Sequence, residues 1–139
     1  MKKAAPFGSW KSPITVDLLL KGELRLSGPR WDGDDLYWIE GRPDEDGRQV
    51  IVRRSADGAI ADITPPGFNA RTRVHEYGGG DYAVREATVW FENFDDQRVY
   101  RQRAGETPVP ITPADDLWHA DLTIDERRER RTTGAHAGA

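Results

Sequence analysis

The sequence predicts an all-β protein built from repeated four-stranded units. Residues 36–66 and 89–114 resemble each other, with Trp90 matching Tyr37 and Ile111 matching Ile63. The repeated runs are short and rich in β-branched and aromatic residues, and Asp-Gly pairs separate several of them. Five tryptophans, 14 glycines and nine prolines also favour a turn-rich β protein over a helical one. A period near ~50 residues made of short strands is typical of β-propeller blades.

Residues 1–23 are predicted to form an N-terminal arm that contains one short helix, at residues 12–21. Ser12 can cap this helix, and Pro13 suits its first position, where a missing N–H costs nothing. Gly22 can end it in a left-handed turn.

The first blade is predicted at residues 24–66, with turns at the Asp-Gly pairs that begin at Asp32, Asp46 and Asp57. Both residues of such a pair tolerate positive φ. Its strands are expected near residues 26–31, 36–40, 49–54 and 60–64. The second of these is apolar without alternation, which favours a strand covered on both faces.

An inter-blade connection is predicted at residues 67–79 and a second blade at residues 80–114. The strands of this blade are expected near residues 80–84, 88–93, 98–102 and 109–112. A third blade is predicted to start at residues 115–125. Trp38 and Trp90 are expected at equivalent, largely buried positions of adjacent middle strands, and Trp31 and Trp118 are likewise expected in inter-blade packing.

The tail at residues 126–139 departs from the repeat. A charge run at residues 126–131 is followed by a stretch without a large apolar side chain, where a blade needs an apolar middle strand. The composition predicts a disordered or aberrant tail. A solvated helical start at residues 125–131 is the alternative.

Composition excludes several function classes. The formal net charge of −4 argues against a nucleic-acid binder, which usually carries a strongly basic face. The absence of cysteine excludes disulfides and thiolate metal sites. The N-terminus has basic residues but lacks the apolar stretch of a signal peptide, and no apolar run is long enough to span a membrane. We therefore expect a cytoplasmic protein that binds neither nucleic acid nor membrane.

One run carries a family resemblance. Residues 73–80 read Arg-Val-His-Glu-Tyr-Gly-Gly-Gly, and they combine with Ser-Pro-Ile-Thr at 12–15, Tyr-Trp-Ile-Glu-Gly-Arg-Pro at 37–43 and Asn-Phe-Asp-Asp-Gln-Arg at 93–98. In order and spacing over residues 6–125, these motifs resemble the N-terminal propeller region of the prolyl oligopeptidase family. The branch they resemble contains dipeptidyl aminopeptidases and acylaminoacyl-peptidases.

The resemblance implies a serine peptidase whose propeller gates and orients short peptides for a C-terminal α/β-hydrolase domain. Catalysis in such enzymes belongs to Ser, Asp and His of the hydrolase domain, with Ser in a Gly-x-Ser-x-Gly turn. This chain contains no Gly-x-Ser-x-Gly, so we expect a fragment without catalytic residues of its own and without cofactor. Its partners would be the hydrolase domain, the remaining blades and, in the full enzyme, peptides. The alternative is a stand-alone interaction module, and an isolated chain with open blade faces is expected to self-associate.

Four residues of the motif, Arg73, His75, Glu76 and Tyr77, are candidates for substrate contact. A carboxylate there could pair with a substrate ammonium group. The competing interpretation is structural: the motif fixes the entry to the second blade, and Gly78, Gly79 and Gly80 let the backbone turn sharply.

No metal site is expected from the sequence. Gly79 stands where the second histidine of a His-Glu-x-x-His zinc motif would be. The Asp95-Asp96 and Asp115-Asp116 pairs are expected to be exposed turn residues, because no third ligand lies near either pair in sequence.

Overall fold

The computed structural model describes residues 23–74 and 82–125, together with residues 130–137 as strand backbone. Two four-stranded antiparallel sheets follow each other along the chain, as the repeat predicts. Blade 1 contains β1 (Arg25–Asp32), β2 (Asp35–Arg42), β3 (Arg48–Arg54) and β4 (Ile60–Asp62). Blade 2 contains β5 (Tyr82–Arg85), β6 (Thr88–Glu92), β7 (Val99–Arg103) and β8 (Val109–Pro110). Each sheet has its strands in chain order, which is the arrangement of propeller blades.

A third, two-stranded sheet follows, formed by β9 (Leu117–Asp125) and β10 (Arg130–Ala137). The prediction of a disordered tail is therefore wrong for residues 130–137. An antiparallel ladder needs only backbone N–H and C=O groups, so β10 can pair with β9 without large apolar side chains. The threonines at 132 and 133 also have high β propensity. The helix predicted at 12–21 lies outside the described residues.

The two blades pack face to face around an apolar cluster. Its buried members are contributed by both sheets and the connection between them: Tyr37, Ile39, Ile51, Ala70, Tyr82, Val89, Phe91 and Tyr100. Phe68 from the connection packs its ring edge against Phe91 and Tyr100, with centroids 6.1 and 5.1 Å away. Neither sheet could cover this face alone, so the cluster makes the two blades interdependent.

The second face of blade 2 packs on β9. Ala83, Val99 and Leu122 are buried there, with Trp90, Ile111 and Ile124 packed against them. The middle strand β6 is thus covered on both faces, as its uninterrupted apolar run predicts.

A repeated hydrogen bond shows which positions of the two blades are equivalent. The N–H of Ile51 donates to the hydroxyl of Thr64 at 2.9 Å, and the N–H of Val99 donates to the hydroxyl of Thr112 at 3.0 Å. Val99 follows Ile51 by the same interval as Thr112 follows Thr64. The sequence repeat is therefore a structural repeat.

The same equivalence extends into the second strand of each blade. Tyr37 pairs with Arg53, and Trp90 pairs with Arg101, which follows Arg53 by that same interval. Tyr37 and Trp90 are therefore counterparts, and each faces the next unit along the chain. The match of these two residues in the sequence repeat is confirmed.

The predicted equivalence of Trp38 and Trp90 is wrong by one residue, because Trp38 corresponds to Phe91 and faces away from blade 2. Both tryptophans lie in second strands, as predicted, but they are half-buried. Trp31 does not pack between blades, since its side chain is 69% exposed. Trp118 is half-buried at the start of β9.

Polar contacts also join the blades. The carboxylate of Asp32 accepts the N–H groups of Glu86 and Ala87 at 2.9 and 2.8 Å. These two residues form the β5–β6 turn with φ of 48° and 57°, a conformation that residues other than glycine seldom adopt. The two bonds to Asp32 help to offset that strain and fix the turn against blade 1.

A bulge in β1 receives a second such contact. The hydroxyl of Tyr82 donates to the carbonyl of Gly28 at 2.5 Å. Gly28 has φ of +59°, and a Cβ there would lie 3.4 Å from the Tyr82 ring. Glycine permits both the backbone conformation and the close approach. Burial raises the pKa of Tyr82 well above its usual value, which keeps the hydroxyl a donor.

Among the described residues, no helical segment has both the length and the hydropathy that a transmembrane helix requires.

Replacing Phe91 with alanine should lower the free energy of unfolding by ~3–5 kcal/mol, because the ring is fully buried between the blades. Urea denaturation followed by tryptophan fluorescence measures this loss. Ile60→Ala, at a side chain 64% exposed, is the control and should change stability by less than ~0.5 kcal/mol. Equal effects of the two substitutions would contradict the blade interface.

Asp32→Ala should destabilise the chain by about 2 kcal/mol, because two backbone N–H groups lose a charged acceptor. The matched control is Asp34→Ala in the same turn, where the side chain is exposed. Denaturant midpoints of both variants give the comparison. A midpoint for Asp32→Ala that matches the control would show that the inter-blade contact contributes nothing.

Candidate functional site

The candidate site lies at one end of the blades, which we call the connection end. In a four-stranded meander, the turn between the second and third strands and the link to the next unit emerge at the same end. In blade 2 these segments are residues 93–98 and 111–116. The connection from blade 1, at residues 63–74, runs over the same end. Functional side chains on such segments are held by the rigid sheets beneath them.

Asn69 ties the connection to both blades. Its side-chain carbonyl accepts the N–H of Gln49 at 2.9 Å. Its backbone N–H donates to the side-chain carbonyl of Asn93 at 3.0 Å, and its carbonyl accepts the N–H of Phe94 at 2.9 Å. Ala70 forms a bridge with Asn93 directly after this contact. These bonds set the position of the residues that follow.

Arg73 is held at the rim of the site by blade 2. Its N–H donates to the side-chain carbonyl of Gln97 at 2.9 Å, and Gln97 in turn donates to the carbonyl of Phe94 at 2.7 Å. The guanidinium groups of Arg73 and Arg71 lie 4.7 and 5.1 Å from the centroid of the Phe94 ring. Cation–π attraction therefore helps to fix both arginines.

A pocket of about 450 Å³ opens beside Arg73. We call it the acidic pocket. Its other lining residues are Gln97, Trp118 and four aspartates, Asp95, Asp96, Asp115 and Asp116. The sequence correctly predicted exposed turn residues at both aspartate pairs. It did not predict that the two pairs would meet. The β6–β7 turn and the β8–β9 connection leave blade 2 at the same end, and the guanidinium of Arg98 donates to the carbonyl of Thr112 at 2.9 and 2.6 Å, which ties the two segments together.

Two of the four carboxylates have structural roles. Asp96 accepts hydrogen bonds from Asn93, from the N–H of Arg98 and from the hydroxyl of Tyr100, the last at 2.5 Å. Burial, together with the bond to Asp96, raises the pKa of Tyr100 to about 12, so this hydroxyl stays a donor. Asp115 accepts the N–H of Leu117 at 3.1 Å.

The other two carboxylates are available to a ligand. Asp95 and Asp116 are exposed and make no side-chain hydrogen bond or ion pair with the described residues. One arginine and four aspartates leave the pocket with an excess of negative charge, and Trp118 adds an aromatic wall. Carboxylates and an indole face both attract an organic cation. Within the described ranges, no three acidic or histidine side chains are placed to hold a metal ion.

The described part of the chain contains no serine paired with a histidine base. Ser55 is engaged by Asp57 and the carbonyl of Ala59 in the β3–β4 turn. His119 is 7% exposed, and neither of its ring nitrogens has a hydrogen-bond partner there. A serine peptidase activates its serine with a histidine base, and neither ring nitrogen of His119 lies within hydrogen-bond reach of a described serine.

Of the four substrate-contact candidates, the structure places Arg73 at the acidic pocket. His75, Glu76 and Tyr77 lie outside the described residues, as do Gly78, Gly79 and Gly80. The blade residues Trp38 and Trp90 lie in the second strands of blades 1 and 2 and not in this pocket.

Solved structures with the same fold are peptidases. A Mycobacterium tuberculosis puromycin-hydrolyzing peptidase is 37% identical and matches 96% of this chain with a TM-score of 0.87. A puromycin hydrolase is 34% identical over 94% of this chain, with a TM-score of 0.76. A puromycin hydrolase mutant complexed with PGG is 35% identical over 91% of this chain, also with a TM-score of 0.76.

The chain spans 22% of the length of the first two of these proteins and 21% of the third. No protein-family model matches the chain, and the search of curated proteins gave no match. The sequence identity, the coverage of this chain and the shared blade architecture confirm the resemblance that its motifs indicated. The chain belongs to the prolyl oligopeptidase family and corresponds to part of the propeller of its members.

Proposed function

We propose that this chain is the propeller portion of a serine peptidase, in which it gates and orients short peptides for an α/β-hydrolase domain. The observation that supports this most is the match to a puromycin-hydrolyzing peptidase, at 37% identity over 96% of the chain. Residues outside this chain would cleave the bond, since no described serine is hydrogen-bonded to a histidine that could act as its base. The partners would be the hydrolase domain, further blades and the peptide.

The acidic pocket suggests how the propeller would orient a substrate. Asp95 and Asp116 would attract the ammonium group at the amino terminus of a peptide, with Trp118 as an aromatic wall. Arg73 at the rim could pair with a carbonyl or carboxylate further along the same peptide. Fixing one end of the substrate in this way would position the scissile bond for the catalytic domain.

The charge of the pocket favours one branch of the family over the other. A free ammonium group gains from carboxylates, whereas an acylated amino terminus carries no charge to recognise. We therefore favour an aminopeptidase of dipeptidyl type over an acylaminoacyl-peptidase. Puromycin, which the relatives hydrolyse according to their names, also carries a free amino group beside an amide bond. This activity needs no cofactor, nucleic acid or membrane, and we place it in the cytoplasm.

A stand-alone interaction module is the second candidate. Leu26, Trp31 and Ile60 of blade 1 are 64%, 69% and 64% exposed, and such apolar surface suits a protein partner or a second copy of the chain. Light scattering at several concentrations would reveal self-association of this kind.

The purified chain should not hydrolyse dipeptidyl or acylaminoacyl reporter substrates or puromycin. Nucleophile, base and oxyanion hole would all come from the hydrolase domain. Release of product is followed against a buffer blank. Activity that stays with the protein through repurification would contradict the assignment of catalysis to the hydrolase domain.

A chimera tests the pocket directly. The matching segment of the Mycobacterium tuberculosis peptidase is replaced by this chain, and puromycin hydrolysis is measured. The chimera should stay active. The double substitution Asp95→Asn and Asp116→Asn should raise KM about tenfold with little change in kcat, because the lost interaction stabilises the bound substrate and the transition state equally. Asp34→Asn, at an exposed turn away from the pocket, is the control for loss of a negative charge. An unchanged KM in the double variant would refute the role of the acidic pocket.

A further inference from the structure

A second pocket, of about 530 Å³, lies on the face of blade 2 that meets β9. We call it the basic pocket. It is lined by Arg85, Glu86, Thr88, Trp90, Arg101, Arg103 and Ile124. None of these residues belongs to the acidic pocket or to the motif at residues 73–80.

The strand register places the charged groups of this pocket side by side. Thr88 in β6 pairs with Arg85 in β5 on one side and with Arg103 in β7 on the other. Directly paired residues have Cβ atoms ~5 Å apart and share a face of the sheet. Arg101, two positions before Arg103, pairs with Trp90 on the same face. Three arginines and Thr88 therefore share one face of the sheet and line the same pocket.

Little within the described residues neutralises these arginines. Arg101 and Arg103 make no ion pair or side-chain hydrogen bond there. Arg85 lies 3.8 Å from a carboxylate oxygen of Glu86, whose side chain is 84% exposed, so water screens this pair strongly. The pocket thus presents guanidinium donors and a hydroxyl, with an excess of positive charge.

In blade 1, the positions equivalent to Arg101 and Thr88 are occupied by two residues that form an ion pair. Arg53, the counterpart of Arg101, donates to Asp35 at 2.6 and 2.9 Å. Asp35 precedes Tyr37 by two positions, as Thr88 precedes Trp90, so Asp35 and Thr88 are counterparts. Blade 2 therefore retains the arginine and lacks its internal counter-ion.

The two blades also differ in charge in the neighbouring strand, β1 of blade 1 and β5 of blade 2. Asp32, which pairs with Asp35, is the counterpart of Arg85, which pairs with Thr88. Two acidic positions of blade 1 are thus a threonine and an arginine in blade 2. Both changes make the same place more favourable for an anion.

We propose that the basic pocket is a binding site for an oxyanion, either a phosphate group or a carboxylate. Guanidinium groups match the planar oxygens of both, and the Thr88 hydroxyl can supply a further donor. The Trp90 ring and Ile124 form an apolar wall that excludes water from one side of the ligand and strengthens these charged hydrogen bonds. This proposal does not depend on the peptidase function.

Isothermal titration calorimetry of the full chain at constant ionic strength tests the site. The probes are inorganic phosphate, N-acetyl-triglycine and N-acetyl-triglycine amide, and the acetyl group removes the ammonium group that the acidic pocket would attract. We expect saturable binding of phosphate or of N-acetyl-triglycine, and no binding of the amide, which lacks the carboxylate. A response to phosphate alone identifies a phosphate site, and a response to N-acetyl-triglycine alone identifies a carboxylate site. No saturable binding of either anion, or equal binding of N-acetyl-triglycine and its amide, overturns the proposal.

Two variants separate a built site from general attraction. Arg101→Gln should weaken binding about tenfold or more, because a charged hydrogen bond is lost. Arg54→Gln removes the same charge from an exposed position in blade 1 and should leave binding unchanged. Equal losses in the two variants would show nonspecific attraction and overturn the proposal.

Thr88→Asp restores the arrangement of blade 1 by giving Arg101 an internal carboxylate. It should abolish anion binding while the thermal midpoint stays the same or rises, so loss of binding cannot be ascribed to unfolding. Binding to this variant as strong as to the original chain would also refute the site.

Discussion

The packing of one blade on the next is the interaction on which the rest of this structure depends. Each sheet is apolar on the face that meets its neighbour, so it cannot be stable in water by itself. The rings of Tyr37 and Phe91, both nearly inaccessible to solvent, lie in the cluster that covers the two inner faces. The connection carrying Phe68 and Asn69 is fixed by this cluster, and the positions of the residues that line the acidic pocket follow from it.

The two units share a backbone frame and differ in their charges. The Thr64 and Thr112 hydroxyls each accept the N–H of a third-strand residue, so the frame is common to both blades. On that frame, the Arg53–Asp35 ion pair of blade 1 has no equivalent among the described residues of blade 2. Changes of this kind leave the fold intact, because they lie at positions where water already reaches the side chains.

The blades were predictable from sequence because their signals are local. Asp-Gly turns and uninterrupted apolar strands indicated all eight strands of the two blades within a few positions. The face of each strand was less predictable, because a one-residue change in register moves a side chain to the opposite face. Trp38 and Trp90 therefore look equivalent in sequence but lie on opposite faces of their blades. Strand β10 was not predicted because pairing between backbone groups needs no particular side chain and therefore leaves little trace in composition. Arg73 was predicted near a site from its motif, but the meeting of Asp95 with Asp116 depends on the strand order of blade 2 and on the bonds from Arg98 to the carbonyl of Thr112, which no local pattern indicates.

The contact made by Asp32 determines which residues at the junction of two blades can vary in sequence. Its carboxylate holds the neighbouring turn through the backbone N–H groups of Glu86 and Ala87, and not through their side chains. Any residue other than proline supplies the same N–H group, and the positive φ of both residues disfavours only β-branched and bulky side chains. Within that restriction, the side chains at these two positions are not needed to maintain the register of the units. Natural or engineered substitutions there can change the surface of the β5–β6 turn while the contact between the two blades stays the same.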